Sequence, residues 1–161
     1  PDDPELVGTP ARVAALWRDN LLAGERLTPA EALGPLSPAP SDGVITLTDI
    51  PFHCVCPHHL LPAFGVVHLA YEPEGHIVGF GALERLVHAL SRRLVLQEAL
   101  TAELADAVMT HLGARGAACA VEATHLCLVL RGREPRAARA CTRLARGSLV
   151  GRPDVLPPVG R

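Results

Sequence analysis

The side chains best suited to metal chemistry lie in two short segments of the sequence. Cys56, His58 and His59 form one segment, and His125 and Cys127 form another much later in the chain. Zinc binds thiolate and imidazole tetrahedrally, and a catalytic zinc keeps three protein ligands and leaves the fourth position to water. Further histidines close to such a centre could exchange protons near neutral pH. The spacing therefore favours a zinc site, although buried apolar cysteines and ordinary strand histidines also fit it.

Antiparallel strands are predicted to bring these two segments together. Residues 44–56 alternate and are rich in β-formers, and a second such run at 65–71 follows a turn over 56–62. A long strand is predicted over 117–130, and it would carry the second segment. Both segments could then meet at one end of a sheet.

Helices are predicted before and after the strand pair. Thr9 can cap a helix whose first turn contains Pro10. From residue 83 to residue 112 the apolar residues fall at helical spacing, with a break near 92–95 and Gly113 as the terminator. The arginine-rich segment near the end of the chain fits both a helix and one face of a strand.

Together these elements predict an α+β fold with two helices on one face of an antiparallel sheet, in the order ββααββ. Residues 1–40 would form an N-terminal helical arm, and residues 41–161 the single domain that follows it. A chain of 161 residues with 48% hydrophobic content is large enough to bury one core.

Charge and cysteine content exclude several classes of function. The formal net charge of −2 argues against a nucleic-acid binder or a membrane binder that works through bulk positive charge. No stretch approaches the roughly 18 apolar residues of a membrane span, and the first residues lack the features of a signal peptide. The five cysteines are an odd set without the density of a disulfide framework. We therefore expect a cytoplasmic protein with reduced thiols.

A series of short motifs extends this interpretation along most of the chain. In order, they are Thr9 to Val13, Phe52 to Pro62, Tyr71 to Pro73, Gly79, Arg85, Arg92 to Leu94, Gln97 with Glu98, Leu100 with Thr101, and Val121 to Cys127 followed by Arg131 and Gly132. In these motifs the chain resembles the type I GTP cyclohydrolases. The resemblance implies the tunnelling fold (T-fold) and a homo-oligomer, a decamer or a similar toroid, with sites at subunit boundaries.

The resemblance also implies the parts of a zinc-dependent hydrolase. It assigns Cys56, His59 and Cys127 as zinc ligands and His125 as the histidine that transfers protons, with His58 assisting. In the family, a zinc-activated water attacks C8 of the guanine imidazole ring. The opened ring is then hydrolysed to release formate, and a sugar rearrangement gives dihydroneopterin triphosphate. Zinc suits this task because it lowers the pKa of its bound water to about 7.

The resemblance to the family also assigns residues that would contact the substrate. Glu98 resembles the carboxylate that accepts hydrogen bonds from N1 and N2 of guanine, and Gln97 lies beside it. Arg85 and Arg131 occupy family phosphate-contact positions, and arginine is a capable phosphate binder. The alternative for the Gln97 and Glu98 pair is a solvated helix surface.

The departures from the family pattern fall in the site segments. Pro57 stands where the family has glutamate, and Val95 replaces the first glutamine of a Gln-x-Gln-Glu run. The family's Gly-Leu-Ser-Lys segment is Gly79-Phe80-Gly81-Ala82 here, so a hydroxyl and an ammonium are missing. In a chain whose 15 basic residues are all arginine, drift of that lysine should have produced arginine.

Three hypotheses follow from the retained metal site and the altered phosphate segment. The favoured one is a zinc-dependent cyclohydrolase that opens the imidazole ring of a purine with few or no phosphates, such as 8-oxoguanine or urate. The alternative is hydrolysis of GTP itself, with Arg131, Arg133 or Arg136 compensating for the lysine. A third is a non-catalytic zinc-binding assembly module, which would need a fourth ligand such as Cys54 or His58.

Overall fold

The computed structural model describes residues 3–130 and 138–160, which build a four-stranded antiparallel sheet with helices on one face. The strands are β1 (Ser37–Pro38), β2 (Ile45–Val55), β3 (Pro62–Glu72), β4 (His76–Ile77), β5 (Gly116–His125) and β6 (Arg139–Gly147). The helices are α1 (Thr9–Leu16), α2 (Pro29–Leu33), α3 (Phe80–Ser91), α4 (Gln97–Leu112) and α5 (Leu126–Val129). Shorter helical turns cover Pro4–Leu6, Trp17–Leu21, Ala23–Arg26 and Pro153–Val155.

The main sheet has the strand order β2-β3-β5-β6, and every neighbouring pair is antiparallel. Side chains of alternate residues, such as Leu69 in β3 and Cys119 in β5, face α3 and α4 and are buried with them in one core. This arrangement confirms the predicted α+β plan. The break between the two long helices and the terminator Gly113, which adopts a left-handed φ of 63°, are confirmed as well.

The predicted strand over 117–130 is too long. β5 ends at His125, which pairs with Ala63 one residue after the start of β3, so no partner strand continues beyond it. The chain turns there into the short helix α5, and Cys127 therefore lies on a helical turn rather than on a strand.

Two smaller expectations are also resolved. The helical alternative for the arginine-rich segment is wrong from Arg139 to Gly147, where the chain forms β6. Helix α1 begins at Thr9 itself, and its N-cap is Gly8 with a φ of 77° and no capping side chain. The hydroxyl of Thr9 instead accepts a hydrogen bond from Arg12.

The face of the sheet opposite α3 and α4 carries a second, smaller apolar cluster. The turn at Pro153–Val155 and the residue after it, Leu156, pack there against Ala70 and Ala120 of the central strands. Both faces of the sheet are thus partly covered within one chain. No helix in the described ranges combines the length and apolar character needed to cross a bilayer.

Candidate metal centre and active site

The turn between β2 and β3 holds the first pair of candidate ligands. The backbone N–H of Cys56 donates to the carbonyl of Leu61 at 3.0 Å, and the N–H of Leu60 donates to the carbonyl of Cys56 at 2.8 Å. Leu60 adopts a left-handed φ of 53°, which closes the turn tightly. Cys56 is consequently buried, whereas His58 and His59 are exposed.

Cys56, His59 and Cys127 bring three potential ligand atoms within 4.8 Å of one another. The Sγ atom of Cys56 lies 3.7 Å from Nδ1 of His59. Zinc with ordinary Zn–S and Zn–N bonds places such atoms about 3.5 Å apart in a tetrahedron. The donor set of two thiols and one imidazole fits zinc in both type and spacing, and no other group of this kind occurs among residues 3–130 and 138–160.

The junction between α3 and α4 brings the predicted base-binding residues to the same place. The N–H of Val55 donates to the carbonyl of Arg93 at 3.1 Å, and the N–H of Val95 donates to the carbonyl of Val55 at 3.2 Å. This parallel bridge ties the start of α4 to the end of β2, directly before the Cys56 turn. Gln97 and Glu98 therefore open α4 beside the metal ligands.

One cavity of about 530 Å³ unites these side chains. Its lining includes the three candidate metal ligands and the two predicted proton carriers, His58 and His125. Gln97 and Glu98 line it as well. In full it is formed by Cys54, Cys56, His58, His59, Ala63, Val95, Leu96, Gln97, Glu98, His125, Cys127, Leu128 and Ala140. A volume of this size is ordinary for a small-molecule site.

Within this cavity His125 is held by Gln97. The Nε2 atom of His125 lies 2.7 Å from Oε1 of Gln97, whose side chain is only 2% exposed. The alternative of a solvated helix surface is therefore wrong for Gln97, and neither interpretation of Gln97 anticipated this internal bond. Its spacing from Thr101, four residues later on the buried face of α4, is the sequence signal that could have revealed it.

The two residues proposed as a fourth metal ligand do not join the group. Cys54 is buried at 1% exposure, and this burial, followed by the influence of Cys56, raises the pKa of its thiol to about 11. Cys54 is therefore a residue of the hydrophobic core, and its sulfur is not among the three grouped ligand atoms. His58 is exposed, and its ring centre lies 6.2 Å from that of His59.

The predicted phosphate contacts lie elsewhere or outside the described ranges. Arg85 lines a separate cavity of about 220 Å³ between the helical turn Ala23–Arg26 and α3, and its Nε–H donates to the carbonyl of Ala32 at 3.1 Å. Arg131, Arg133 and Arg136 all fall between the two described ranges.

A solved structure similar to this chain is that of the archaeosine synthase QueF-Like in the apo form. It aligns with a TM-score of 0.50 and 15% sequence identity, covering 64% of this chain and 94% of that one. At this level of identity the likeness concerns the fold alone. It agrees with the T-fold that the sequence motifs predict.

Sequence comparison links the chain to one family. The family model described as GTP cyclohydrolase I matches residues 1–155. Relatives named GTP cyclohydrolase 1 are 47% identical over 122 residues in Ralstonia nicotianae, 44% over 129 in Chromobacterium violaceum and 40% over 143 in Wolinella succinogenes.

These alignments cover 76%, 80% and 88% of this chain and 58%, 63% and 76% of the respective relatives. The chain thus spans about three fifths of the length of the first two. Because the family model matches nearly the whole chain, we conclude that this protein belongs to the GTP cyclohydrolase I family.

Proposed function

We propose that this protein is a zinc-dependent cyclohydrolase that converts GTP to dihydroneopterin triphosphate and formate. The observation that carries the proposal is the meeting of Cys56, His59 and Cys127 with His125 and Glu98 around one cavity. The relatives' name, GTP cyclohydrolase 1, supports GTP over an oxidised or unphosphorylated purine, for which neither the structure nor the comparisons offer support.

The three ligands would hold the zinc ion at the closed turn. When bound there, zinc would supply a Lewis acid and a water whose pKa is lowered to about 7. A three-ligand set fits this task, since a purely structural zinc normally takes four protein ligands. The non-catalytic assembly module is disfavoured on the same ground, because Cys54 and His58 stand outside the ligand group.

His125 would carry protons to and from the reacting purine. It lines the cavity next to the ligand Cys127 and is oriented by its bond to Gln97. An oriented imidazole is the side chain best suited to acid–base catalysis near neutral pH. His58, exposed at the cavity edge, would assist.

Glu98 would recognise the guanine ring. Its carboxylate lies in the first turn of α4, is exposed and lines the cavity. A carboxylate can accept two parallel hydrogen bonds from the N1 and N2 groups of guanine. Bases without those donors would leave the carboxylate unpaired, which is the kind of contact that discriminates strongly between substrates.

Arginines would bind the triphosphate. One of them, Arg85, lies in a cavity separate from the metal cavity of the same chain. We infer that Arg85 serves a site completed by a neighbouring subunit in a homo-oligomer, as the family resemblance implies. Arg131 remains a predicted phosphate contact.

A substrate panel tests the proposal. The purified protein, loaded with one zinc per chain, is incubated separately with GTP, guanosine, 8-oxoguanine and urate, while purine absorbance and pterin fluorescence are followed. Loss of purine absorbance with pterin fluorescence from GTP alone is the expected result. Turnover of urate or 8-oxoguanine in preference to GTP would overturn the proposed substrate.

A further inference from the structure

The side-chain amide of Gln97 has one possible orientation. Its Nε2 atom lies 3.1 Å from three acceptors, the carbonyl oxygens of Val121 and Ala140 and the hydroxyl of Thr142. If the amide were flipped, its oxygen would face two carbonyl oxygens at that distance inside the protein, where unpaired acceptors are costly. The amide nitrogen therefore points to the sheet, and Oε1 points to His125.

Two threonine hydroxyls reinforce this orientation. Thr101 Oγ1 lies 2.8 Å from the carbonyl oxygen of Gln97, which can only accept, so Thr101 is the donor. Because the single hydroxyl hydrogen of Thr101 is used in that bond, Thr101 Oγ1 must accept the hydroxyl hydrogen of Thr142 across their 2.6 Å contact. Thr142 then keeps its lone pairs for the amide of Gln97. The donors and acceptors form a closed ring with one consistent direction.

The oriented amide decides which nitrogen of His125 carries a hydrogen. Oε1 of Gln97 is an acceptor only, and it lies 2.7 Å from Nε2 of His125. Nε2 must therefore be the protonated nitrogen. Because neutral imidazole carries a single N–H, Nδ1 is left with the lone pair.

The geometry points to Gln97 as a positioning residue that holds His125 in its Nε2–H tautomer, so that Nδ1 is the nitrogen that accepts and returns protons during purine hydrolysis. This inference rests on the proposed function for the step that His125 performs. The tautomer itself rests only on the hydrogen bonds around Gln97. Gln97 thus acts through His125 and makes no contact with the base through its side chain.

Solid-state NMR of the zinc-loaded protein, labelled with ¹⁵N-histidine, tests the tautomer directly. The spectrum is recorded at a pH where the imidazole is neutral, and the His125 signals are assigned by their disappearance in His125→Asn. We expect a protonated-type signal for Nε2 and a lone-pair-type signal for Nδ1. The reverse pattern, or an even mixture of both tautomers, would overturn the inference.

Steady-state kinetics with GTP test the consequence. Gln97→Met keeps the length of the side chain but removes the acceptor, and we expect kcat to fall about tenfold to a hundredfold, the size of effect known for partners that orient metal-ligating histidines. KM and zinc content should stay unchanged, because neither the base-binding carboxylate nor the ligands are altered. The matched control is Thr46→Val, which loses a hydrogen bond to Val155 on the opposite face and should leave kcat unchanged.

These results separate this inference from the proposed function. A protein with the expected tautomer that does not turn over GTP refutes the proposed function and leaves the positioning of His125 intact. An active enzyme with the opposite tautomer, or an unchanged kcat in folded, zinc-loaded Gln97→Met, refutes the positioning role. If Gln97→Met does not fold, the wild-type spectrum still decides.

Discussion

The metal corner, formed by Cys56, His59, Cys127, His125 and Gln97, differs from the start of α3 in how its functional groups are held. In the metal corner the ligand atoms lie within 4.8 Å of one another, and the histidine beside them is bonded to a buried amide. These groups come together from the turn between β2 and β3, the start of α4 and the junction of β5 with α5.

The start of α3, where the family has its serine and lysine, carries no such arrangement. Ala82 is 5% exposed and belongs to the core, and Gly81 is exposed with no side chain. Among residues 79–85, Arg85 is the one cationic residue. Its side chain donates a hydrogen bond to a backbone carbonyl of α2.

The two regions differ in how strictly the proposed chemistry would fix the positions of their side chains. Ring opening would need ligands and a proton carrier at fixed positions, whereas either a guanidinium or an ammonium is capable of binding phosphate. A lysine at position 82 would have to leave the core or bury an ammonium, which is costly. Ala82 therefore fits the core of this chain, and the family's ammonium has no counterpart at this position.

Removing a ligand should have the largest effect. In Cys127→Ala we expect bound zinc and GTP turnover both to fall to background, because two remaining ligands hold zinc weakly. Zinc is measured by atomic absorption and turnover by pterin fluorescence. Cys141→Ala is the matched control, since Cys141 is exposed on β6 and outside the ligand group, and it should retain both. Full zinc content in Cys127→Ala would refute the ligand assignment.

Removing the proposed proton carrier should have the next largest effect on turnover. His125→Ala is expected to lower kcat about a hundredfold to ten-thousandfold, the usual contribution of a general acid–base group. Zinc content should be unchanged, because His125 is not among the three grouped ligands. The exposed His111 at the end of α4 offers the control His111→Ala, with normal kinetics expected. Intact turnover in His125→Ala would contradict the mechanism.

A smaller effect is expected at the phosphate segment. Arg85→Ala should raise KM for GTP about tenfold, the loss of one charge-assisted hydrogen bond, while kcat changes little. Binding of guanosine, which has no phosphate, should be unaffected, and competition against GTP measures it. Arg18→Ala removes an exposed arginine of the N-terminal arm and should leave both values unchanged. Equal weakening of GTP and guanosine would show that Arg85 does not contact phosphate.

The smallest effect is expected from restoring the family's hydroxyl. In Gly81→Ser the nearest atom to the new Cβ would be NH1 of Arg85 at 3.8 Å, an ordinary contact. We expect the free energy of unfolding to rise by about 0.5 kcal/mol, because glycine destabilises a helix, and KM for GTP to decrease slightly. Urea denaturation measures the first quantity.

The control for that substitution is Gly75→Ser. Gly75 has a left-handed φ of 79°, so a serine there should destabilise the protein instead. A loss of stability in Gly81→Ser would mean that the start of α3 depends on the flexibility of glycine.

Much of the fold could be predicted because local patterns specify it. Alternation identified β2 and β3, and helical spacing with Gly113 as terminator identified α3 and α4. The end of β5 could not be predicted, since the residues that follow it, Leu126 to Leu130, are an apolar run that fits a strand, while its partner strand β3 begins at Pro62. Strand length there depends on pairing across the sheet rather than on the local sequence.

The candidate site shows the same difference between features that the local sequence specifies and features that depend on the folded sheet. The grouping of Cys56, His59 and Cys127 followed from residue type and family motifs, and the structure brings them together. The hydrogen-bond ring around Gln97 depends on Thr142 of β6, which only the folded sheet places beside α4. Sequence motifs thus identify the candidate metal ligands better than the hydrogen bonds that orient the side chains beside them.

The most direct test of the central claim follows the carbon atom that the site is proposed to remove. GTP labelled with ¹³C at C8 is incubated with the zinc-loaded protein, and the products are observed by NMR. We expect the label to appear as formate, one molecule for each pterin formed. Label retained in a purine or pterin product, or GTP left unchanged by a protein with full zinc content, would contradict that claim.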